Sequence, residues 1–231
     1  MTPATMPAPG LGITMVLGAA IILHGLILLG RRTLILPGEL VRKLVHMTTG
    51  TLALTFPHLF VHTWPVLVLA GAASLVVVWT RLTPAGRVFE SLYGFGDSRR
   101  LESLGEFYFA LAIGLLFVVA RATPVAYAVP LAAVTYGDAA AAIVGKAWGR
   151  HRYRTPAGET KSLEGSAAFL LVAAAAGAAA MALTGRSPAA GALPLAGATL
   201  VMTALEAVSI RGMDNLAVPA GGWLVLVLLG G

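Results

Sequence analysis

Thr135-Tyr-Gly-Asp138-Ala-Ala-Ala-Ala-Ile-Val-Gly145-Lys146-Ala-Trp-Gly149-Arg150 opens the stretch that decides the fold, and Thr160-Lys161-Ser162-Leu163-Glu164-Gly165-Ser166 closes it. Between the two lies a short loop holding Arg152 and Arg154. An apolar run with one acid, Asp138, gives way to a cationic loop made of Lys146, Arg150, Arg152, Arg154 and Lys161. A second apolar run then begins. Apolar span, short basic loop, apolar span is the pattern of a chain that crosses a membrane repeatedly. A carboxylate beside a basic loop at a membrane surface suits a metal-bound polyphosphate better than it suits a lipid-facing wall. This stretch is the expected chemical centre.

Composition agrees with the membrane reading. The chain has 231 residues, 58% of them hydrophobic and only 11% charged, against about 25% charged in soluble domains. No polar linker or compositional break divides it, so residues 1–231 are expected to form a single integral membrane domain. Cysteine is absent, which excludes disulfides and thiolate metal sites. The net charge of +6 does not indicate nucleic acid, because the cations sit in short loops between apolar spans and form no basic face with stacking aromatics. The first ten residues carry no base, so a secretory leader is not expected. Thirteen Arg against three Lys, with abundant Ala and Gly, points to a GC-rich prokaryotic genome and hence an inner (plasma) membrane.

Runs long enough to cross roughly 30 Å of hydrocarbon fall at about 11–30, 40–57, 64–80, 104–120, 124–145, 165–184, 190–208 and 215–230. The expected fold is all-α, a polytopic membrane helical bundle of about eight transmembrane helices. Seven remain if one of the two weakest, the second or the eighth, is lost. With the N-terminus outside, Arg31, Arg32, Arg42, Lys43, Arg81, Arg87, Arg99, Arg100, Lys146, Arg150, Arg152, Arg154, Lys161 and Arg211 all fall inside. Only Arg121 and Arg186 fall outside. Fourteen of sixteen cations on one side satisfies the positive-inside rule and puts the basic loop on the cytoplasmic face. The polar stretch from Arg81 to Glu102 is expected to form an interfacial helix with Phe89, Leu92, Tyr93 and Phe95 towards lipid.

Several groups carry chemistry. Glu39, Arg42, Lys43 and His46 are spaced i, i+3, i+4, i+7 and share one helical face. They read either as interfacial charges, with Glu39 paired to Lys43, or as phosphate-binding cations with a proton-handling His. Asp138 lies deeper than a snorkelling side chain needs, and ionisable residues within spans usually mark a site. The alternative is a structural carboxylate bonded to a neighbouring Tyr or Thr hydroxyl. Glu106, Glu206, Asp214 and Asn215 sit at inner span ends, where each alone could be a helix-end charge or cap. Together they bring oxygen ligands to the side of the membrane that holds Asp138, and such ligands suit magnesium. Lys161-Ser162 follows Thr160 where a P-loop requires Gly, with no strand before it, so a Walker-type site is excluded. His24, His58 and His62 read as packing or outer-side residues.

Glu39-Leu-Val-Arg42-Lys43-Leu-Val-His46, with Gly50 one turn on, resembles the amino-terminal signature of the CTP-dependent lipid-alcohol kinases. That family includes phytol kinase, dolichol kinase and the yeast-type diacylglycerol kinase. Gly137-Asp138 through Gly145 and Gly149, then Lys161-Ser162-Leu163-Glu164-Gly165-Ser166, resembles its proposed CTP-binding region. Glu206 with Gly212, Asp214-Asn215 and Pro219 resembles its closing motif. The central stretch is also similar to the phosphatidate cytidylyltransferases. However, Gly158-Glu159-Thr160-Lys161 replaces their Ser-Pro-Lys-Lys lead-in, and the Gly pair after Glu164 is missing.

The resemblance implies a membrane kinase that passes the γ-phosphoryl of CTP to a long-chain isoprenoid alcohol such as phytol, geranylgeraniol or farnesol. It implies Asp138, Glu164 and Asp214 as magnesium ligands. Lys161, Lys146 and Arg150 would neutralise phosphate, and Arg42 and Lys43 would close over the nucleotide. Ser162, Gly137, Gly145, Gly165 and Asn215 would border it, and His46 or Glu39 would accept the alcohol proton. Rival readings are CMP transfer to a lipid phosphate and a transporter with Asp138 as an ion site. The lack of inverted-repeat symmetry stands against the transporter.

Overall fold

A computed structural model describes residues 6–93, 104–156, 158–210 and 212–230, with the side chains of Leu92 and Tyr93 excepted. Phe95, Arg99, Arg100, Glu102 and Arg211 lie outside the described residues. The chain forms helices α1 (Pro9–Leu34), α2 (Gly38–Leu54), α3 (Phe56–Leu59), α4 (Trp64–Leu82), α5 (Pro84–Tyr93), α6 (Gly105–Ala120) and α7 (Pro124–Ala132). A π-helical turn (Ala133–Gly137) leads directly into α8 (Asp138–Trp148). Strands β1 (Arg152–Arg154) and β2 (Thr160–Ser162) follow, then α9 (Leu163–Leu183), α10 (Ala192–Val208) and α11 (Asp214–Leu228).

Each of the eight apolar runs read from the sequence corresponds to a helix or, at 124–148, to a continuous helical rod. Four helical stretches among the described residues are long and apolar enough to cross a membrane: Pro9–Leu34, Trp64–Leu82, Pro124–Trp148 and Leu163–Leu183. Gly105–Ala120, Ala192–Val208 and Asp214–Leu228 are apolar but shorter. The fold is all-α in its bulk and of membrane type, with a small antiparallel hairpin added. The polar connection after α4 does contain a helix, α5.

Local chemistry explains the boundaries. Prolines occupy the first turn of α1, α4 and α7, where a missing N–H costs nothing and the fixed φ suits the helix. Helix α9 begins on Ser162, whose side chain accepts the N–H of Gly165, the standard N-cap arrangement. It ends at Gly185, φ +79°. There the Gly185 and Arg186 N–H groups donate to the Ala182 and Met181 carbonyls, closing a Schellman motif.

The described chain falls into two compact units, Met1–Gly114 and Leu115–Gly231. In the first, α1 packs on α2, α4 and α5. Phe60 presses on Gly12, where a Cβ would stand 2.6 Å from the ring. Helix α1 leaves Ile21, Ile22, Leu26 and Leu29 exposed, an apolar surface that suits lipid.

In the second unit α9 is central and touches α7, the π turn, α8 and α10. Its core contains Phe169, Met202, Leu226 and Tyr127, with Tyr127 edge-on to Phe117 at 5.7 Å. Gly137 faces Phe169, and Gly165 faces the Ala141 carbonyl, while Gly177 faces both Val129 and Leu195. These contacts make α9 antiparallel to the α7–α8 rod. Small residues let the backbones approach this closely.

Candidate functional site

The second unit gathers its polar groups at one end of the bundle. The hairpin pairs Arg152 with Ser162, Tyr153 with Lys161 and Arg154 with Thr160. Directly paired residues project to the same face of a ribbon, so Tyr153 and Lys161 turn together towards the helices. The chain reverses at Thr155–Gly158, where the Gly158 N–H donates to the Thr155 carbonyl at 2.8 Å. Gly158 holds φ +83°, a left-handed conformation that glycine adopts without cost.

Lys161 is the hub. Its Nζ donates to the backbone carbonyl of Glu206 and to Glu206 Oε1 at 2.6 Å, and lies 4.0 Å from Asp214 Oδ2. Glu206, on the last turn of α10, is buried. Ser166 Oγ lies 3.4 Å from Glu206 Oε2 and 2.9 Å from the Tyr153 hydroxyl. One connected network thus joins the hairpin, the starts of α9 and α11, and the end of α10. Burying a charge is tolerated when it is paired and hydrogen-bonded, which this lysine–carboxylate pair achieves.

Asp138 opens α8, half-buried, immediately after the π turn. Such turns are rare and recur at functional sites. Its depth follows from a nearby contact: a Cβ on Gly222 would meet Pro130 Cβ at 3.2 Å. Asp138 lies eight residues after Pro130, and Asp214 lies eight before Gly222. At about 1.5 Å per residue, in antiparallel helices, both carboxylates sit about 12 Å from that contact and hence at one level.

The set Asp138, Glu206 and Asp214 against Lys161 is rich in hard oxygen donors. Magnesium typically takes one or two carboxylates together with substrate phosphates, so this donor chemistry fits it. Among the described residues no three His, Cys, Asp or Glu side chains converge as a preformed metal cage. Glu164 is engaged elsewhere: its carboxylate accepts the His151 backbone N–H at 3.2 Å and lies 2.6 Å from His151 Nδ1.

The other residues expected from the sequence divide clearly. Lys146, in the last turn of α8, and Arg150, just before the hairpin, are exposed at the same end. Ser162 caps α9. Gly137, Gly145 and Gly165 line the α8–α9 contact, with Cβ positions 3.0 to 3.1 Å from Phe169, Ser162 Oγ and the Ala141 carbonyl respectively. Asn215 is buried, and its backbone N–H donates to Asp214 Oδ1 at 3.0 Å. Tyr153 and His151 entered no sequence expectation of a role, and Ser166 entered only as the last residue of the motif that starts at Lys161. The signal for Tyr153 was the pair of short triplets flanking Pro156 and Gly158, which reads as a hairpin.

In the first unit a separate ionic group forms. Arg42 Nη2 lies 2.8 Å from Glu39 Oε1, and Arg42 Nη1 lies 3.8 Å from Glu106 Oε1. Glu106 Oε2 also takes Arg81 at 2.6 Å. Lys43 is buried, and the His46 ring stacks on Phe109 with centroids 3.9 Å apart. The shared face of Glu39, Arg42 and His46 is therefore turned towards groups of α6.

Comparison with known proteins gives a relative that spans nearly the whole chain. The phytol kinase of Synechocystis sp. is 33% identical over 231 residues, covering 96% of this chain and 93% of that protein. No family model matches the chain, and no solved structure matches it.

Proposed function

We propose, from the premise that this chain belongs to the lipid-alcohol kinase family represented by phytol kinase, that it transfers the γ-phosphoryl group of CTP to a long-chain isoprenoid alcohol. The acceptor is of the phytol, geranylgeraniol or farnesol class. In this reaction the alcohol oxygen forms a bond to the γ-phosphorus and the bond from that phosphorus to the β–γ bridging oxygen breaks. The alcohol proton is released, and the products are the isoprenyl monophosphate and CDP.

The observation that carries this reading is the network of Lys161, Glu206 and Asp214 beneath a basic hairpin. Phosphoryl transfer depends mainly on positioning and charge neutralisation. Glu206 fixes the direction of the Lys161 ammonium and so preorganises a cation for the β- and γ-phosphates. Lys146 and Arg150 meet the outer phosphates at the surface. Asp138 and Asp214 would hold magnesium, with Glu164 as a further ligand candidate; the ion supplies neutralisation of charge on the transferring group. In the first unit, Arg42 and Lys43 are proposed as phosphate-binding cations and His46 or Glu39 as acceptor of the alcohol proton. Stacking on Phe109 fixes the His46 ring. The proposed setting is a prokaryotic inner membrane with the basic hairpin on the cytoplasmic face, as the distribution of cations supports.

The test uses purified full-length protein with magnesium and CTP labelled at the α or the γ position. Phytol and phosphatidate are offered separately. Label passing from the γ position to phytol is the expected result. Label passing from the α position to phosphatidate would make the protein a cytidylyltransferase instead. No transfer to either lipid would remove the enzymatic reading.

A further inference from the structure

Several threonines within the helices of this protein share a habit. Thr14, Thr48, Thr51, Thr199 and Thr203 each donate their Oγ1 to the carbonyl four residues earlier, at 2.7 to 2.9 Å. Thr135 does not. It is fully buried, and its Oγ1 has no hydrogen-bond partner among the described residues. Thr135 stands in the π turn, where the i→i+5 pattern replaces the α-helical one. A buried hydroxyl without a partner is penalised, and groups of this kind persist mainly where they serve a purpose.

Two features say what the partner is. The π turn is packed by α9 and α11, and Ala132, Ala133, Val134, Ala139 and Phe169 around it are buried and apolar. Bringing a phosphate into such packing would be far costlier than bringing a neutral hydroxyl. A threonine hydroxyl both donates and accepts, which matches an alcohol. In addition, Thr135 precedes Asp138 by three residues, so the two belong to one turn of the rod.

Building on the kinase reading above, we infer that the Thr135 hydroxyl binds the hydroxyl end of the lipid alcohol and holds the acceptor oxygen one turn from Asp138. Reaching a fully buried group requires local opening of the packing around the π turn.

The test compares wild type, Thr135→Val and Thr135→Ser, each full-length in nanodiscs, by steady-state kinetics and thermal unfolding. Valine keeps the shape and removes the hydroxyl. The expected result is a KM for the alcohol raised about three- to tenfold, the effect of one hydrogen bond. The KM for CTP should stay unchanged and the unfolding midpoint should not fall. Serine should restore the alcohol KM. An unchanged alcohol KM in Thr135→Val, an equal rise in both KM values, or a lowered midpoint would overturn the inference while the kinase reading stands. Wild type that phosphorylates no alcohol would overturn both.

Discussion

Lys161 Nζ lies 2.6 Å from Glu206 Oε1, and the two side chains keep only 17% and 7% of their surface exposed. A pair this sheltered is asymmetric in its energetics. Removing one partner strands the other charge, at a cost of about 3–5 kcal/mol, whereas replacing both with apolar groups is much milder. Glu206→Gln and Lys161→Met should each lower the unfolding free energy by that order, and the double substitution should lower it by clearly less than their sum. Reversible unfolding in mixed micelles reads this cycle, and strict additivity would show that the pair is not coupled.

Asp138→Asn keeps the size of the side chain but removes its charge and replaces one acceptor oxygen with a donor amide. If the residue holds the metal, activity should fall at least about a hundredfold, in line with the several kcal/mol of charge stabilisation that such ions provide. Expression and unfolding midpoint should be preserved. Near-normal turnover would remove Asp138 from the reaction.

Ser162 serves as the N-cap of α9, with its Oγ accepting the Gly165 N–H at 3.1 Å. Ser162→Ala should cost about 1 kcal/mol of stability. A loss of CTP affinity much larger than the loss of stability would mean that the hydroxyl also meets the nucleotide.

Gly165 permits the close approach of α9 to α8: a Cβ there would stand 3.0 Å from the Ala141 carbonyl and 3.1 Å from Ser162 Oγ. Gly165→Ala should destabilise by about 1–3 kcal/mol through overpacking. Gly18 in α1 has nothing within 4 Å of its Cβ position, so Gly18→Ala should be neutral or stabilising by up to about 1 kcal/mol. Thermal unfolding of the two variants side by side checks the contrast.

The absence of cysteine gives a clean topology test. Arg152→Cys, on the exposed side of the hairpin, should react with a membrane-impermeant maleimide in inside-out vesicles and stay unlabelled in intact cells. The reverse pattern would invert the orientation inferred from the basic loops.

Helix positions were legible because long apolar runs broken by charge leave little freedom in where a rod starts and stops. The ends of α2, α4, α6 and α10 fall within a few residues of the hydropathy boundaries. What hydropathy could not supply was side-chain pairing. Lys161 read as a cation awaiting phosphate, yet its ammonium is already held by Glu206, 45 residues away in sequence. Gly145 and Gly165, which the family resemblance alone sets beside the nucleotide, line a contact between two helices. His151 lies in a loop of arginines with no spacing that singles it out, although it binds Glu164. The π turn escaped notice for a different reason: its sequence, Ala-Val-Thr-Tyr-Gly, has nothing to distinguish it from an ordinary apolar helix.

That turn has a geometric consequence for the rod that contains it. Each residue of an α-helix advances about 100° around the axis, so a turn that takes up one extra residue sets everything after it about 100° away from where an unbroken α-helix of the same residues would point. The half of the rod ending at Ala132 and the half starting at Asp138 therefore need not share a facing direction. The first can satisfy apolar packing through Tyr127, Val129 and Leu131 while the second aims its carboxylate independently. Deleting a single residue from Ala133–Gly137 would restore an unbroken helix with Asp138 close to its present azimuth, whereas converting the turn to α-helix with all its residues kept would swing Asp138 by about 100°. The azimuth of the acid is thus set by a count of residues, separately from the packing that anchors the rod.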